Sequence, residues 1–170
     1  DIDEHAPSQF DHVGAAGGGS RINWGLTRLI DALRRGLLNS DLGVAETKDL
    51  VAQMNTVLLT PELISNGKRN REQTLRPLIG QLEAELGARK EQQKKPEILS
   101  LRLYVYGFSR GAAEARTFCN WLLELVRKPG ANGEPEYRFA GLPISIELLG
   151  IFDTVAAVGL ADSFPFAAGH

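Results

Sequence analysis

Gly107-Phe108-Ser109-Arg110-Gly111 sets a serine between two glycines at the spacing G-x-S-x-G. This is the spacing of a nucleophile elbow, a tight strand-to-helix turn in which small residues two positions before and after the serine let the backbone fold back. Ser109 is the candidate nucleophile of an acyl transfer, with Gly107 and Gly111 as the elbow glycines. The turn would aim the first amides of the following helix, beginning with that of Arg110, at a developing oxyanion. A pentapeptide of this kind arises by chance in about one such chain in ten, so its context has to decide. Before it, Leu99, Leu101, Leu103 and Val105 alternate with Ser100, Arg102, Tyr104 and Tyr106, a strand pattern. After it, Ala112, Ala115, Phe118, Cys119, Leu122, Leu125 and Val126 recur at helical spacing without Pro or Gly between them. Strand, turn and helix are all in place.

A serine nucleophile needs a base, and the base an orienting acid. Within Leu142-Pro-Ile-Ser-Ile-Glu-Leu-Leu-Gly-Ile-Phe-Asp-Thr154, Ile144, Ile146 and Leu148 alternate with Ser145 and Glu147 before Leu149, Ile151 and Phe152 continue an apolar run. This predicts a second strand ending at Asp153. Strand, helix and strand make a βαβ unit whose parallel strands bring their C-terminal ends to one sheet edge, where open α/β sheets place active sites. Ser109 and Asp153 both fall just past such an end. Asp153 therefore reads as the acid of a Ser-His-Asp set, and equally as the turn or helix cap that Asp-Thr often forms. The histidines are His5, His12 and the terminal His170; only His170 follows the acid, as the order Ser, acid, His requires in α/β hydrolases. A terminal residue is a poor general base. With only two clear strands and none before the first helix, the expectation is an incomplete hydrolase sheet, its other strands upstream of Asp1 and its histidine downstream of His170.

The rest of the chain must position these residues. Its 170 residues suffice for one domain, and a net charge of −2 gives no basic excess for nucleic-acid binding. The single cysteine, Cys119, cannot form an internal disulfide and reads as packing. Neither a transmembrane-length apolar run nor a signal-peptide pattern occurs. Residues 1–20 read as a loop closing on Gly14-Ala-Ala-Gly-Gly-Gly-Ser20, with no dinucleotide or Walker spacing. Asp1, Asp3, Glu4 and His5 are more simply solvated than metal-binding.

Residues 21–95 read as mainly helical, a covering layer or insertion before the elbow strand. The first helix is expected over 21–35, with Ser20 as N-cap and Gly36 at its end, and a second over 45–59. A third, carrying Leu75, Leu78, Ile79, Leu82 and Leu86, would end at Gly87. Lys68-Arg69-Asn70-Arg71 reads as a solvated loop and helix start, Ala88 to Lys95 as a polar run, and Arg127 to Gly141 as a loop. Helices leading into a strand-helix-strand unit suggest part of a larger α/β protein with a parallel sheet.

The blocks Gly18-Gly-Ser-Arg-Ile-Asn-Trp-Gly25, Gly107-Phe-Ser-Arg-Gly-Ala112 and Gly141 through Phe152-Asp-Thr-Val-Ala156 to Leu160, in that order, resemble a family of α/β hydrolases formerly known only as a domain of unknown function. Its characterised bacterial members are type VI secretion lipase effectors of the first class. The resemblance implies a phospholipase that is made in the bacterial cytoplasm, delivered into competing cells and active on acyl esters of membrane glycerophospholipids. It also implies an immunity protein and a secretion-apparatus component as partners. Ser109 matches the family's nucleophile and Asp153 its acid. The family's histidine motif and its early Asp-Gly-Thr segment have no counterpart here, which implies that the isolated chain is inactive.

The chemistry expected is attack by Ser109 on an ester, an oxyanion held by amides including that of Arg110, and release of the fatty acid by water, with no metal or other cofactor. The Arg110 side chain would steer a phosphate or make a structural contact. The apolar stretch from Val155 to Phe166 would line an acyl pocket or pack as core. A soluble esterase or acyltransferase fits the same elbow, and so does a non-catalytic binding module on the hydrolase fold.

Overall fold

The computed structural model describes residues 17–55, 61–93 and 98–153. Among the described residues three α-helices precede a four-stranded mixed sheet, and a fourth follows the first strand in the chain. The chain is thus of mixed α/β class, with its helical segment before the elbow strand. Among the described residues no helix is long and apolar enough to cross a membrane.

Helix α1, Gly17–Leu33, buries Ile22, Leu26, Ile30 and Leu33 as their spacing predicts. It begins earlier than expected: Gly17–Ser20 form its first turn. Ser20 is therefore no N-cap, and its hydroxyl accepts from Asn55 Nδ2 at 2.9 Å. Nor does Gly36 end it. The helix loosens into a π-helical turn, Arg34–Leu38, that stops at Asn39 in the left-handed conformation (φ 52°), a role asparagine fills readily. Buried Asp31 holds this exit, with Arg28 Nη1 at 2.7 Å and Arg35 Nε at 2.9 Å, while the Leu42 amide donates to it at 2.8 Å. A carboxylate that deep is tolerated because it is paired on several sides.

Helix α2, Val44–Met54, buries Leu50, Val51 and Met54. It stops five residues short of the expected end because Asn55 takes an extended backbone and spends its side chain on Ser20 and on Asn23 at 3.1 Å; residues 56–60, with Val57 and Leu58, lie outside the described residues. Helix α3, Pro61–Gln93, is far longer than its apolar stretch. Pro61 takes the first helical position, where its missing N–H costs nothing. The helix runs through Pro77 and Gly87, and the polar run Ala88–Gln93 continues it. Leu75 and Leu82 are buried against the other helices.

Lys68-Arg69-Asn70-Arg71 is accordingly helical, not a loop. Arg71 stacks 3.5 Å from the centre of the Trp121 ring, an aromatic partner that comes from a distant segment. Burial there lowers its guanidinium pKa from its ordinary value to about 10, against the opposing pull of Glu124 and Glu72, so it stays protonated at neutral pH.

Strand β1, Leu101–Phe108, leads through Ser109 into helix α4, Arg110–Val126, which buries Ala112, Ala115, Cys119, Leu122, Leu125 and Val126. Burial pushes the Cys119 thiol pKa up, consistent with a packing role. The expected loop from Arg127 to Gly141 is two strands, β2 (Arg127–Pro129) and β3 (Pro135–Phe139). Its turn-forming residues mark two tight reversals: one closed by Gly130 and Gly133, the other by Ala140 (φ 49°) and Gly141 (φ 77°), a two-residue hairpin with both φ positive. Strand β4, Leu142–Phe152, follows.

The sheet order is β1-β4-β3-β2. β1 and β4 are parallel as the βαβ reading requires, but β4–β3 and β3–β2 are antiparallel. The wholly parallel sheet is thus corrected to a mixed one. Pairing also explains why the alternation in β4 breaks: Leu103 lies opposite Ile146 but Tyr104 opposite Leu148, so Glu147 is an extra residue in a β-bulge. Ile144 and Ile146 face inward before the bulge and Leu149 and Ile151 after it, while Leu148 turns out.

Candidate active site

Parallel pairing ends with Phe108 opposite Phe152, and the Ser109 amide extends it by donating to the Phe152 carbonyl at 2.9 Å. Ser109 and Asp153 are thereby the first residues past the C-terminal ends of adjacent parallel strands. The bulge at Glu147 sets this alignment; without it Phe108 would face Ile151.

Ser109 has φ 54° and ψ −125°, a conformation L-residues rarely adopt. Asp153 has φ 46°. Asn39 and Ala140 are the other non-glycine residues of positive φ among the described residues, and both serve chain reversals. At Ser109 the backbone turns from strand to helix in one residue, and the Ala112 amide donates to the Ser109 carbonyl at 3.0 Å to open α4. The amide of Arg110 is at the helix's first position, where no intrahelical acceptor exists.

The two elbow glycines differ. A Cβ on Gly107 would sit 2.3 Å from the Gly111 carbonyl oxygen and 2.7 Å from the Ala112 Cα, so β1 and α4 approach too closely for any side chain there. A Cβ on Gly111 would meet nothing within 4 Å. The steric need for a small residue falls on Gly107, not on both.

Ser109 is half-buried, and Arg110 and Asp153 are exposed. Among the described residues no side-chain hydrogen bond links Ser109 to Asp153, and Arg110 forms no ion pair. His5, His12 and His170 lie outside the described residues, as do Asp1, Asp3, Glu4 and the stretch from Val155 to Phe166. No group of three or more His, Cys, Asp or Glu is placed to hold a metal among the described residues.

Support for the elbow comes from α1, including its first turn, Gly17–Ser20, which the sequence pattern alone predicts as loop. Arg21 Nη1 pairs with Glu114 Oε1 of α4 at 3.2 Å, while a Cβ on Gly18 would meet Glu114 Oε1 at 3.5 Å and one on Gly25 would meet the Phe118 ring at 3.4 Å. The spacing of Gly18 and Gly25, two turns of helix apart, was the available signal for this contact.

The matched fold occurs in a far larger protein. A crystal structure of an uncharacterized protein from Pseudomonas aeruginosa is 54% identical over 86% of this chain, with a TM-score of 0.78. The chain covers 20% of that protein's length. No protein-family model matches the sequence, and no curated protein matches it.

Proposed function

We propose that the chain carries the nucleophile and acid of a serine acyl hydrolase of the α/β-hydrolase fold that cleaves acyl esters of membrane glycerophospholipids. The observation that carries the proposal is the backbone of Ser109, held at φ 54° and ψ −125° between β1 and α4. Such strain persists where the surroundings over-determine it, and it exposes a serine hydroxyl beside helix amides.

Ser109 Oγ attacks the ester carbonyl while a histidine from outside the described residues takes its proton. Asp153, beyond the neighbouring strand end, orients that histidine and stabilises its cation. The Arg110 amide, without an intrahelical acceptor, donates to the oxyanion, and water then hydrolyses the acyl-enzyme. This sequence of steps needs no metal. The exposed Arg110 guanidinium is available to a substrate phosphate. The likeness of the motif blocks to type VI secretion lipase effectors supports the lipid substrate, delivery into competing cells and an immunity protein as partner.

The test is labelling of the longest natural polypeptide containing these residues with a fluorophosphonate probe, in wild type and Ser109→Ala. Labelling lost in Ser109→Ala, followed by fatty-acid release from phospholipid vesicles, supports the proposal. A folded wild-type protein that stays unlabelled overturns it in favour of a binding module.

A further inference from the structure

Helices α1 and α4 face each other across a groove of about 400 Å³, with Arg21 and Trp24 on the α1 side and Phe108, Gly111, Glu114 and Phe118 on the side of the elbow. Two contacts cross it. Arg21 Nη1 donates to Glu114 Oε1 at 3.2 Å, and one turn further along both helices a Cβ on Gly25 would meet the Phe118 ring at 3.4 Å. Arg21 and Gly25, like Glu114 and Phe118, have the i, i+4 spacing that keeps both contacts on one face of each helix. The polar contact is the one nearer to Ser109 along α4.

The first turn of α4 is supported unevenly. Beneath it β1 comes so close at Gly107 that a Cβ there would lie 2.3 Å from the Gly111 carbonyl oxygen, and Ala112, Ala115 and Cys119 are buried along the same helix. These contacts fix how far α4 stands from the sheet. On the groove side the turn is bare, because a Cβ on Gly111 would meet nothing within 4 Å. Sideways tilt of the turn is resisted from Glu114, through a hydrogen bond between charged groups, which is stronger than a neutral one. The Arg110 amide, at the first helical position, moves with that turn.

We propose that Arg21 and Glu114 are a positioning pair for the acyl transfer: by tying the start of α4 to α1 they set the aim of the Arg110 amide at the oxyanion formed on the carbonyl that Ser109 attacks. The inference rests on the serine-hydrolase reading above and adds to it two residues that act through α4 rather than on the substrate. Their worth to stability and their effect on rate differ. A partly exposed ion pair adds little to stability. An oxyanion donor works only at hydrogen-bonding distance from the place the charge develops, and a misplacement of about 1 Å costs about a hundredfold in rate.

The experiment measures fluorophosphonate labelling of the longest natural polypeptide containing these residues, over probe concentrations that separate probe affinity from the rate constant of the covalent step. Arg21→Ala, Glu114→Ala, the double variant and the conservative Arg21→Lys are compared with wild type, each with a thermal melt; Glu114→Gln replaces Glu114→Ala should the latter not fold. The expected result is a covalent rate constant about tenfold lower in either alanine variant and no lower still in the double. Arg21→Lys should keep most of the wild-type rate, and probe affinity and melting temperature should stay nearly unchanged throughout. Losses that add in the double, a loss confined to probe affinity, a loss that follows the melting temperature, or an Arg21→Lys as slow as Arg21→Ala would each overturn the proposal. Alanine variants that label at the wild-type rate would overturn it alone and leave Ser109 as the nucleophile. A folded wild type that stays unlabelled overturns the serine-hydrolase reading and this proposal together.

Discussion

The Ser109 amide donates to the Phe152 carbonyl at 2.9 Å, so the residue that leaves β1 is hydrogen-bonded to the last residue of β4, and Asp153 comes directly after it. Two strand ends are locked level by that bond. Both residues that follow the ladder adopt positive φ, which turns the chain sharply away from the sheet at adjacent points. A candidate nucleophile and a candidate acid on neighbouring strand ends follow from the ladder itself rather than from any direct contact between their side chains.

The elbow glycines should separate cleanly on mutation. Gly107→Ala forces a Cβ to 2.3 Å from a backbone oxygen that belongs to α4 and cannot rotate aside. A loss of about 2 kcal/mol or more is expected, in the range of overpacked cores. Gly111→Ala enters open space inside a helix and should be neutral or stabilise by up to about 1 kcal/mol. Urea denaturation of the two variants measures both; equal losses would contradict the geometry.

Ser109 should trade stability for position. An L-residue at φ 54° and ψ −125° carries strain of about 1–3 kcal/mol, and glycine is the one residue that relieves it. Ser109→Gly is therefore expected to raise the melting temperature while abolishing fluorophosphonate labelling. Ser109→Ala should abolish labelling without the gain, because its Cβ keeps the strain. If Ser109→Gly proves no more stable than Ser109→Ala, the serine is not strained by its backbone.

The periodicities of α1, α4 and β1 were legible because each element has one buried face and the apolar residues repeat with the element's own period. The same logic failed where two turns lie close together. Residues 127–141 carry so many Pro, Gly and Asn residues that they read as loop, yet those residues build the reversals of a hairpin. The bulge at Glu147 was visible only as the doublet Leu148-Leu149, a break in alternation that an apolar run equally explains. In α3, Gly87 and the polar run after it signalled an end, but neither residue type stops a helix whose preceding turns are anchored by Leu75 and Leu82. Stacking of Arg71 on Trp121 joins residues fifty apart in the chain, beyond the reach of local pattern.

That stacked pair makes a prediction about pH. Burial lowers the Arg71 pKa to about 10 in the folded protein, well below the ordinary guanidinium value of the unfolded chain. Between those values the unfolded chain holds more protons, so stability from this group rises as pH increases from about 10, and below it both states are protonated. The stability difference between wild type and Arg71→Ala should hence stay flat from pH 7 to 9, with Arg71→Ala the weaker by about 1–2 kcal/mol for the lost cation–π contact. Denaturation curves at pH 7, 8 and 9 check this; a difference that grows steadily over that range would mean that Arg71 titrates far lower than its burial implies.

Glu147 tests whether the bulge places the candidate acid. Deleting it joins Ile146 to Leu148 and lets the ladder continue without a shift. The pairs Tyr104–Leu148 through Phe108–Phe152 are then unchanged, and Ile146, Leu149 and Ile151 keep facing inward while Leu148 and Phe152 keep facing out, so the shortened strand alternates without a break. The deletion should therefore leave both stability and labelling of Ser109 close to those of the wild type. Glu147→Ala, which keeps the residue count and removes only an exposed carboxylate bonded to Ser145 Oγ at 2.6 Å, should leave both nearly unchanged. A deletion variant much less stable than Glu147→Ala, or no longer labelled, would show that the bend of the bulge, and not the pairing beyond it, places the site.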